Sequence, residues 1–198
     1  AYPTKMSGDQ VWVAQDSIFG LGNDLADGFT MATPLGQIGQ GTEVTASLSD
    51  MILGFIPGSI GETSVIAIAL GAILLLWTGI ASYRTMLSVF IGGAAMGLLF
   101  QHNGMTDIAW WHQFVMGGFA FGAVFMATDP VTSCRTEKGQ WIYGFIIGAM
   151  AIIIRVMNPG YPEGMMLAIL LMNMFAPTID HFVVERNISK RLKRGGRK

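Results

Sequence analysis

The stretch Asp27-Gly-Phe-Thr30-Met-Ala-Thr33-Pro-Leu35 sets one carboxylate and two hydroxyls, three residues apart, on a short run punctuated by glycine and proline. Turn-forming threonines before a proline have a structural use as backbone hydrogen-bonding groups. The same hydroxyls are also open to chemistry from outside. Two further clusters carry oxygen. Thr128, Asp129, Thr132 and Ser133 offer several ligands to a hard cation such as Na⁺. Asp180 closes the last apolar run, and Asn173 lies seven residues before it on the same helix face. Acids at membrane depth are functional candidates by default. The competing structural readings are that Asp129-Pro130 ends a helix and that Asp180 is an interfacial acid. Glu163 opens the last apolar segment, where an acid complements the helix dipole.

Other chemistries find no support. His102, His112 and His181 fall at the ends of different apolar segments and define no haem or metal site. The single cysteine, Cys134, excludes an intrachain disulfide and cannot by itself hold an iron–sulfur cluster. Any electron carrier here is organic or is supplied partly by a partner. There is no dinucleotide fingerprint, P-loop, zinc-protease motif or nucleic-acid signature.

The elements that must position these groups are helices in a bilayer. Of 198 residues, 52% are hydrophobic and only 13% are charged, about half the charge of a soluble domain. Five apolar segments stand out: Ser64–Tyr83, Thr85–Phe100, Trp110–Ala127, Trp141–Met157 and Gly164–Asp180. A crossing takes about 17–25 residues, so the second is marginal without its flanks. Trp110, Trp111 and Trp141 sit at segment starts, as interfacial anchors do.

Charge is segregated. Residues 1–63 hold seven acids and one base, Lys5, whereas residues 181–198 hold seven bases and one acid, Glu185. The positive-inside rule places the basic tail in the cytoplasm. Counting back, Arg84, Arg135 and Lys138 are inside, and residues 1–63 are outside with Thr30 and Thr33. Arg155 falls in an outside loop, against the rule. The expected organisation is an extracytoplasmic segment over 1–63, a five-helix membrane domain over 64–180 and a cytoplasmic tail over 181–198. The sequence does not begin with Met, and a fragment or the C-terminal part of a longer chain is expected.

Gly93–Gly97, Gly118–Gly122 and Gly144–Gly148 repeat a small residue one turn apart, a pattern that lets helix backbones approach closely. Tight packing is the first reading; a flat face for a planar ligand such as a quinone or flavin is the second. Residues 48–63 are broken by Gly54, Pro57, Gly58 and Gly61. They read as a re-entrant or interfacial stretch, tolerated at membrane depth only when buried in protein or lining a cavity. Its end could present helix N–H groups to an anion. A plain helix start capped by Thr63 or Ser64 is the simpler reading. Composition leaves two classes open, a redox subunit and a solute channel or transporter.

The run Asp27-Gly-Phe-Thr30-Met31-Ala32-Thr33 resembles the flavin-attachment motif of bacterial respiratory membrane proteins, an Asp followed by Ser/Thr-Gly-Ala-Thr. Asp27, Thr30, Ala32 and Thr33 match it, and Met31 stands where the pattern has Gly. "FIPGSIGETS", "FMATDPVTS", "NPGYPEGMMLAILLMNMFAPTID" and the basic tail resemble the NqrB family, the B-type membrane component of the Na⁺-translocating NADH:quinone reductases. That likeness covers essentially the whole chain, aligned to the C-terminal half of NqrB. The related RnfD component of Rnf complexes shares the Thr motif and the Thr-Asp-Pro element.

The resemblance implies an all-α polytopic membrane protein whose five helices form one repeat of a ten-helix fold similar to urea transporters. It implies FMN joined through a phosphoester to Thr33, with Asp27 helping recognition and Thr30 hydrogen-bonding the loop or phosphate. Ester formation needs an exposed hydroxyl on a segment that an enzyme can grasp. The family's flavin transferase works in the periplasm, the side to which charge assigns Thr33. In the family, electrons from NADH pass through this FMN to riboflavin and then ubiquinone while Na⁺ leaves the cell. Asp129 and Asp180 are the expected groups for Na⁺ handling. The implied partners are other subunits of a bacterial inner-membrane complex. An Rnf-type subunit would carry the same flavin with ferredoxin and NAD as terminal partners. A solute channel of the same fold would be colourless.

Overall fold

Ser64, Ser82 and Thr136 each stand one residue ahead of a long helix, and each accepts a hydrogen bond from the backbone N–H three residues on. Such caps satisfy donors that have no partner in a helix's first turn. The computed structural model describes residues 35, 48–54, 56, 61–106, 108–158 and 163–195. Among these there is no strand. A short helix α1 spans Leu48–Leu53. Then come α2, Val65–Trp77, capped by Ser64, and α3, Tyr83–His102. Two short pieces, α4 at His112–Val115 and α5 at Phe119–Phe121, run into a π-helical turn at Gly122–Met126. Two long helices follow, α6, Glu137–Met157, and α7, Met165–Gly195.

Among the described residues, three helices, α3, α6 and α7, are long and apolar enough to cross a membrane. At 1.5 Å per residue the 20 and 21 residues of α3 and α6 span about 30 Å, the thickness of the hydrocarbon core. Large apolar side chains stay outside the protein interior: Leu70, Ile73, Leu74, Met174 and Phe182 are exposed, and Trp77 is 86% exposed. Such a surface is costly in water and matches lipid. The molecule is an integral membrane protein built from helices.

The centre is the α3–α6 pair. A β-carbon on Gly148 would collide with the Val89 carbonyl, and one on Gly92 with the Phe145 carbonyl. The two backbones therefore touch, which only glycine permits. Val89, Tyr143, Ile147, Ala151 and Ile152 are buried around that contact, and α7 adds Ala168, Ile169, Met172 and Ala176. Of the Gly93–Gly97 and Gly144–Gly148 patterns, Gly144 and Gly148 meet α3 backbone, whereas Gly93 faces Phe114 and Phe119 and Gly97 faces Trp110. Packing is thus what these glycines do.

α3 and α6 begin ahead of their apolar segments, at Tyr83 and Glu137, and helix bounds differ further from the segments in three places. The first helix stops at Trp77 instead of running to Tyr83. Gly79 takes φ +71, and the Thr78 hydroxyl turns back onto the Leu74 and Leu75 carbonyls. The remaining 13 residues cover about 20 Å. The last helix does not stop at Asp180 but continues to Gly195, taking in most of the basic tail; Pro177 lies within it. The third segment, Trp110–Ala127, is not one helix. Met116 is extended and Gly117 has φ +62, so α4 ends and a new helical piece begins at Phe119. Hydrophobicity alone does not register a backbone reversal at a single glycine.

Candidate functional site at the break in the third segment

An interrupted helix leaves carbonyl groups without partners, and in a bilayer they cannot turn to water. Arg155, from the last turn of α6, fills that need. Its Nη1 donates to the Gln113 carbonyl at 2.6 Å and to Gln113 Oε1 at 3.0 Å, and its Nη2 donates to the Met116 carbonyl at 3.2 Å. The side chain is only 7% exposed and Gln113 only 1%. Among the described residues, Arg155 Nε and Gln113 Nε2 find no hydrogen-bond partner although both are buried. Arg155, the base that conflicts with the charge-based reading of its loop, is part of the interior and not of a loop.

Around the same break lie two acids and an apolar anchor. A β-carbon on Gly117 would stand 3.1 Å from Leu35 Cδ2, 3.6 Å from Arg155 Nη2 and 3.6 Å from Glu163 Oε1. One on Gly118 would meet Glu62 Oε2 at 2.9 Å. Burial first, and then the neighbouring Glu62, hold the Glu163 carboxyl above its ordinary pKa, against the opposing pull of Arg155. Leu35 is buried with Met51, Ile56 and Met116, against Ile108 and Val115. So Met51 of α1 and Ile56 just after it pack with Met116 of the broken third segment, and all meet Leu35. Glu163 does not merely decorate a helix start; it faces a buried cation.

The opposite end of the bundle holds Asp129 and Asp180. Asp180 Oδ2 accepts from the Arg135 N–H at 2.8 Å, and Oδ1 accepts from the Thr136 N–H at 3.1 Å and from its hydroxyl at 2.5 Å. The carboxylate of α7 thereby sits at the positive end of α6. Asn173, one face along, accepts from the Tyr143 hydroxyl. Asp129 accepts from the Thr132 hydroxyl at 2.8 Å and from the N–H groups of Val131 and Thr132. The Thr132 hydroxyl and those amides lower its pKa below the ordinary value. Cys134 is buried, and burial with the nearby Asp180 charge pushes its thiol up to about 12, so it is an inert thiol. Thr128 turns its hydroxyl back onto the Val124 carbonyl at 2.5 Å. Among the described residues, no three His, Cys, Asp or Glu side chains converge to hold a metal ion.

Asp27, Thr30, Ala32 and Thr33 lie outside the described residues. Leu35, two positions after Thr33, does not. Sequence reasoning singled out Thr33 and passed over Arg155 and Gln113. The signal that could have found Arg155 was its violation of the charge rule.

Comparison with known proteins shows the family. A profile for it matches residues 1–189. The chain belongs to the NQR2, RnfD, RnfE family. It is 50% identical over 203 residues to the B component of the Na⁺-translocating NADH-quinone reductase (NqrB) of Chromohalobacter salexigens, covering 98% of this chain and 47% of that protein. It is 46% identical over 209 residues to the NqrB of Klebsiella pneumoniae strain 342, covering 98% and 48%. It is 47% identical over 204 residues to the NqrB of Pseudomonas aeruginosa strain LESB58, covering 99% and 48%. The chain thus spans about half the length of these relatives.

Proposed function

We propose that the chain is part of a flavin-carrying membrane subunit of a Na⁺-pumping NADH:ubiquinone oxidoreductase. The observation that carries this reading is the Asp27–Thr33 attachment motif in a chain 46–50% identical to the NqrB proteins of that enzyme. That naming also favours it over a ferredoxin-linked Rnf subunit, and the motif favours it over a solute channel.

On this reading Thr33 is the FMN acceptor, Asp27 aids the transferase and Thr30 hydrogen-bonds the loop or phosphate. FMN, when bound, supplies one-electron transfer between the upstream carrier and riboflavin, with ubiquinone as the final acceptor. The protein's task is to place and electrically tune the group. The residues beside Leu35 suit it. Flavin and phosphate present acceptor oxygens, and Arg155 Nε and Gln113 Nε2 are buried donors without partners among the described residues.

The membrane domain is one five-span repeat of a urea-transporter-like fold in a bacterial inner membrane. Segments one and three complete the five crossings with help from their flanking turns. The Glu62, Glu163 and Leu35 end faces the periplasm, where the flavin transferase works. The Arg135 and Asp180 end faces the cytoplasm, as the basic tail requires. Asp129 and Asp180 handle Na⁺ at that face; support comes from two anchored carboxylates beside the Thr128–Thr136 turn.

The test is Na⁺-stimulated ubiquinone reduction by NADH in the assembled complex carrying Thr33→Ala in the full-length protein. Loss of the Na⁺-stimulated rate is expected. A wild-type rate would overturn the assignment of Thr33.

A further inference from the structure

We infer that the last turns of α7, beyond Asp180, dock a further subunit of the complex, which holds them in an apolar groove edged with carboxylates. The inference rests on the subunit reading above. It starts from the two faces of one helix. Val184, Ile188 and Leu192 are four residues apart and form one stripe along α7. All three are exposed, Leu192 to 70%. Arg186, Lys190 and Arg194 repeat that spacing two residues further on, which turns them about 160° to the opposite face. Lys193 joins the basic face, and Arg191 stands at the edge of the apolar stripe.

Lipid does not cover this stripe. Fourteen residues are about four turns, so Val184 and Ile188 stand over Leu170 and Met174, which are exposed within the span. The outward face of the span therefore runs on past its end. The 31 residues of α7 cover about 46 Å, against a hydrocarbon core of about 30 Å. The bases from Arg186 to Arg194 are costly in hydrocarbon and place those turns in the polar phase. Nor does the helix break after Asp180. It carries the stripe outward, whereas an interfacial helix lies flat in the bilayer plane.

The chemistry that fits such a stripe is protein. Apolar residues repeated on one face are the anchors by which an amphipathic helix seats in an apolar groove. The charge around them is one-sided. Arg186, Lys190, Arg191, Lys193 and Arg194 stand against one acid, Glu185, which lies 3.8 Å from His181. A groove rim of opposite sign complements them, and carboxylates supply it.

The experiment uses the full-length protein in the assembled complex, isolated in mild detergent. If wild type retains no other subunit, the subunit reading itself fails and takes this inference with it. With the complex intact, Leu192→p-benzoylphenylalanine is expected, on illumination, to join the chain to a different subunit, identified by mass spectrometry. A cross-link only to lipid, only within the same protein, or none at all overturns the inference. Ile188→Ser combined with Leu192→Ser changes two exposed side chains outside the core. The pair is expected to lower the retained amount of the cross-linked subunit about tenfold, with the full-length protein recovered at its wild-type level. Arg191→Glu is expected to lower retention by less. Wild-type retention in the double variant overturns the docking site, and wild-type retention in Arg191→Glu overturns the carboxylate rim. Should the double variant not accumulate, the cross-link decides.

Discussion

The α3–α6 seam and the third apolar segment are both rich in glycine and both buried, yet glycine does opposite things in them. In the seam, Gly92, Gly144 and Gly148 keep their helices regular and let two backbones touch. In the third segment, Gly117 adopts φ +62 and breaks the helix. In the seam each helix satisfies its own backbone, and the Ser88 hydroxyl of α3 adds a hydrogen bond to the Trp141 carbonyl of α6. The break leaves carbonyls unpaired, and a buried arginine from α6 attends to them. The small-residue spacing is common to both regions. What differs is the charge recruited to the broken one, a buried guanidinium hydrogen-bonded to Gln113 and Met116.

Removing the arginine should therefore cost more than crowding the seam. Arg155→Met strips the Gln113 and Met116 carbonyls of their donor, at a cost of about 3 kcal/mol. A fall in the melting temperature of the purified complex by several degrees checks this; an unchanged melting temperature would show that water enters the break. Gly148→Ala places a methyl against the Val89 carbonyl and forces α3 and α6 apart, at a cost of about 2 kcal/mol. Both variants in one chain should add, or nearly so, if the two regions are independent. A large departure would join them into one unit.

At the far end of the bundle the effects are smaller. Asp180→Asn keeps an acceptor for the Arg135 and Thr136 donors but loses the charge facing the α6 N-terminus, at a cost of about 1 kcal/mol. The same variant should raise the KM for Na⁺ if Asp180 handles the ion, whereas a capping role alone would lower stability and leave that KM unchanged. The smallest effect belongs to Asp129. Its pKa is lowered in the folded protein from the ordinary 3.8. The ionised form is thus the one favoured by folding. Its contribution is complete above the ordinary value and fades as pH falls through the lowered one. In an acid titration of wild type against Asp129→Asn, the difference should be complete above pH 3.8 and should shrink progressively below it.

Much of the bundle was legible because lipid imposes simple rules. The cap at Ser64, long apolar runs and segregated charge all register in composition and order; the caps at Ser82 and Thr136 were passed over. The second segment, marginal by length, proved a full 20-residue helix once Tyr83, Arg84, Gln101 and His102 joined it. Hydropathy carries no information about φ at Gly79 or Gly117, so the end of α2 and the break in the third segment were not visible. Nor was the continuation of α7 past Asp180, since a charged helix and a charged coil have the same hydropathy. At the site, Thr33 was legible through its motif, a local pattern. Arg155 was not, because its partners Gln113 and Met116 lie about 40 residues away in sequence.

The most direct measurement is in-gel flavin fluorescence of the denatured full-length protein, co-expressed with a flavin transferase, in wild type and Thr33→Ala. The account predicts a fluorescent band in wild type that is lost in the mutant, despite Met31 in place of the motif's glycine. A dark wild-type band beside a labelled control substrate in the same cells would contradict it and return the solute-channel reading to the front.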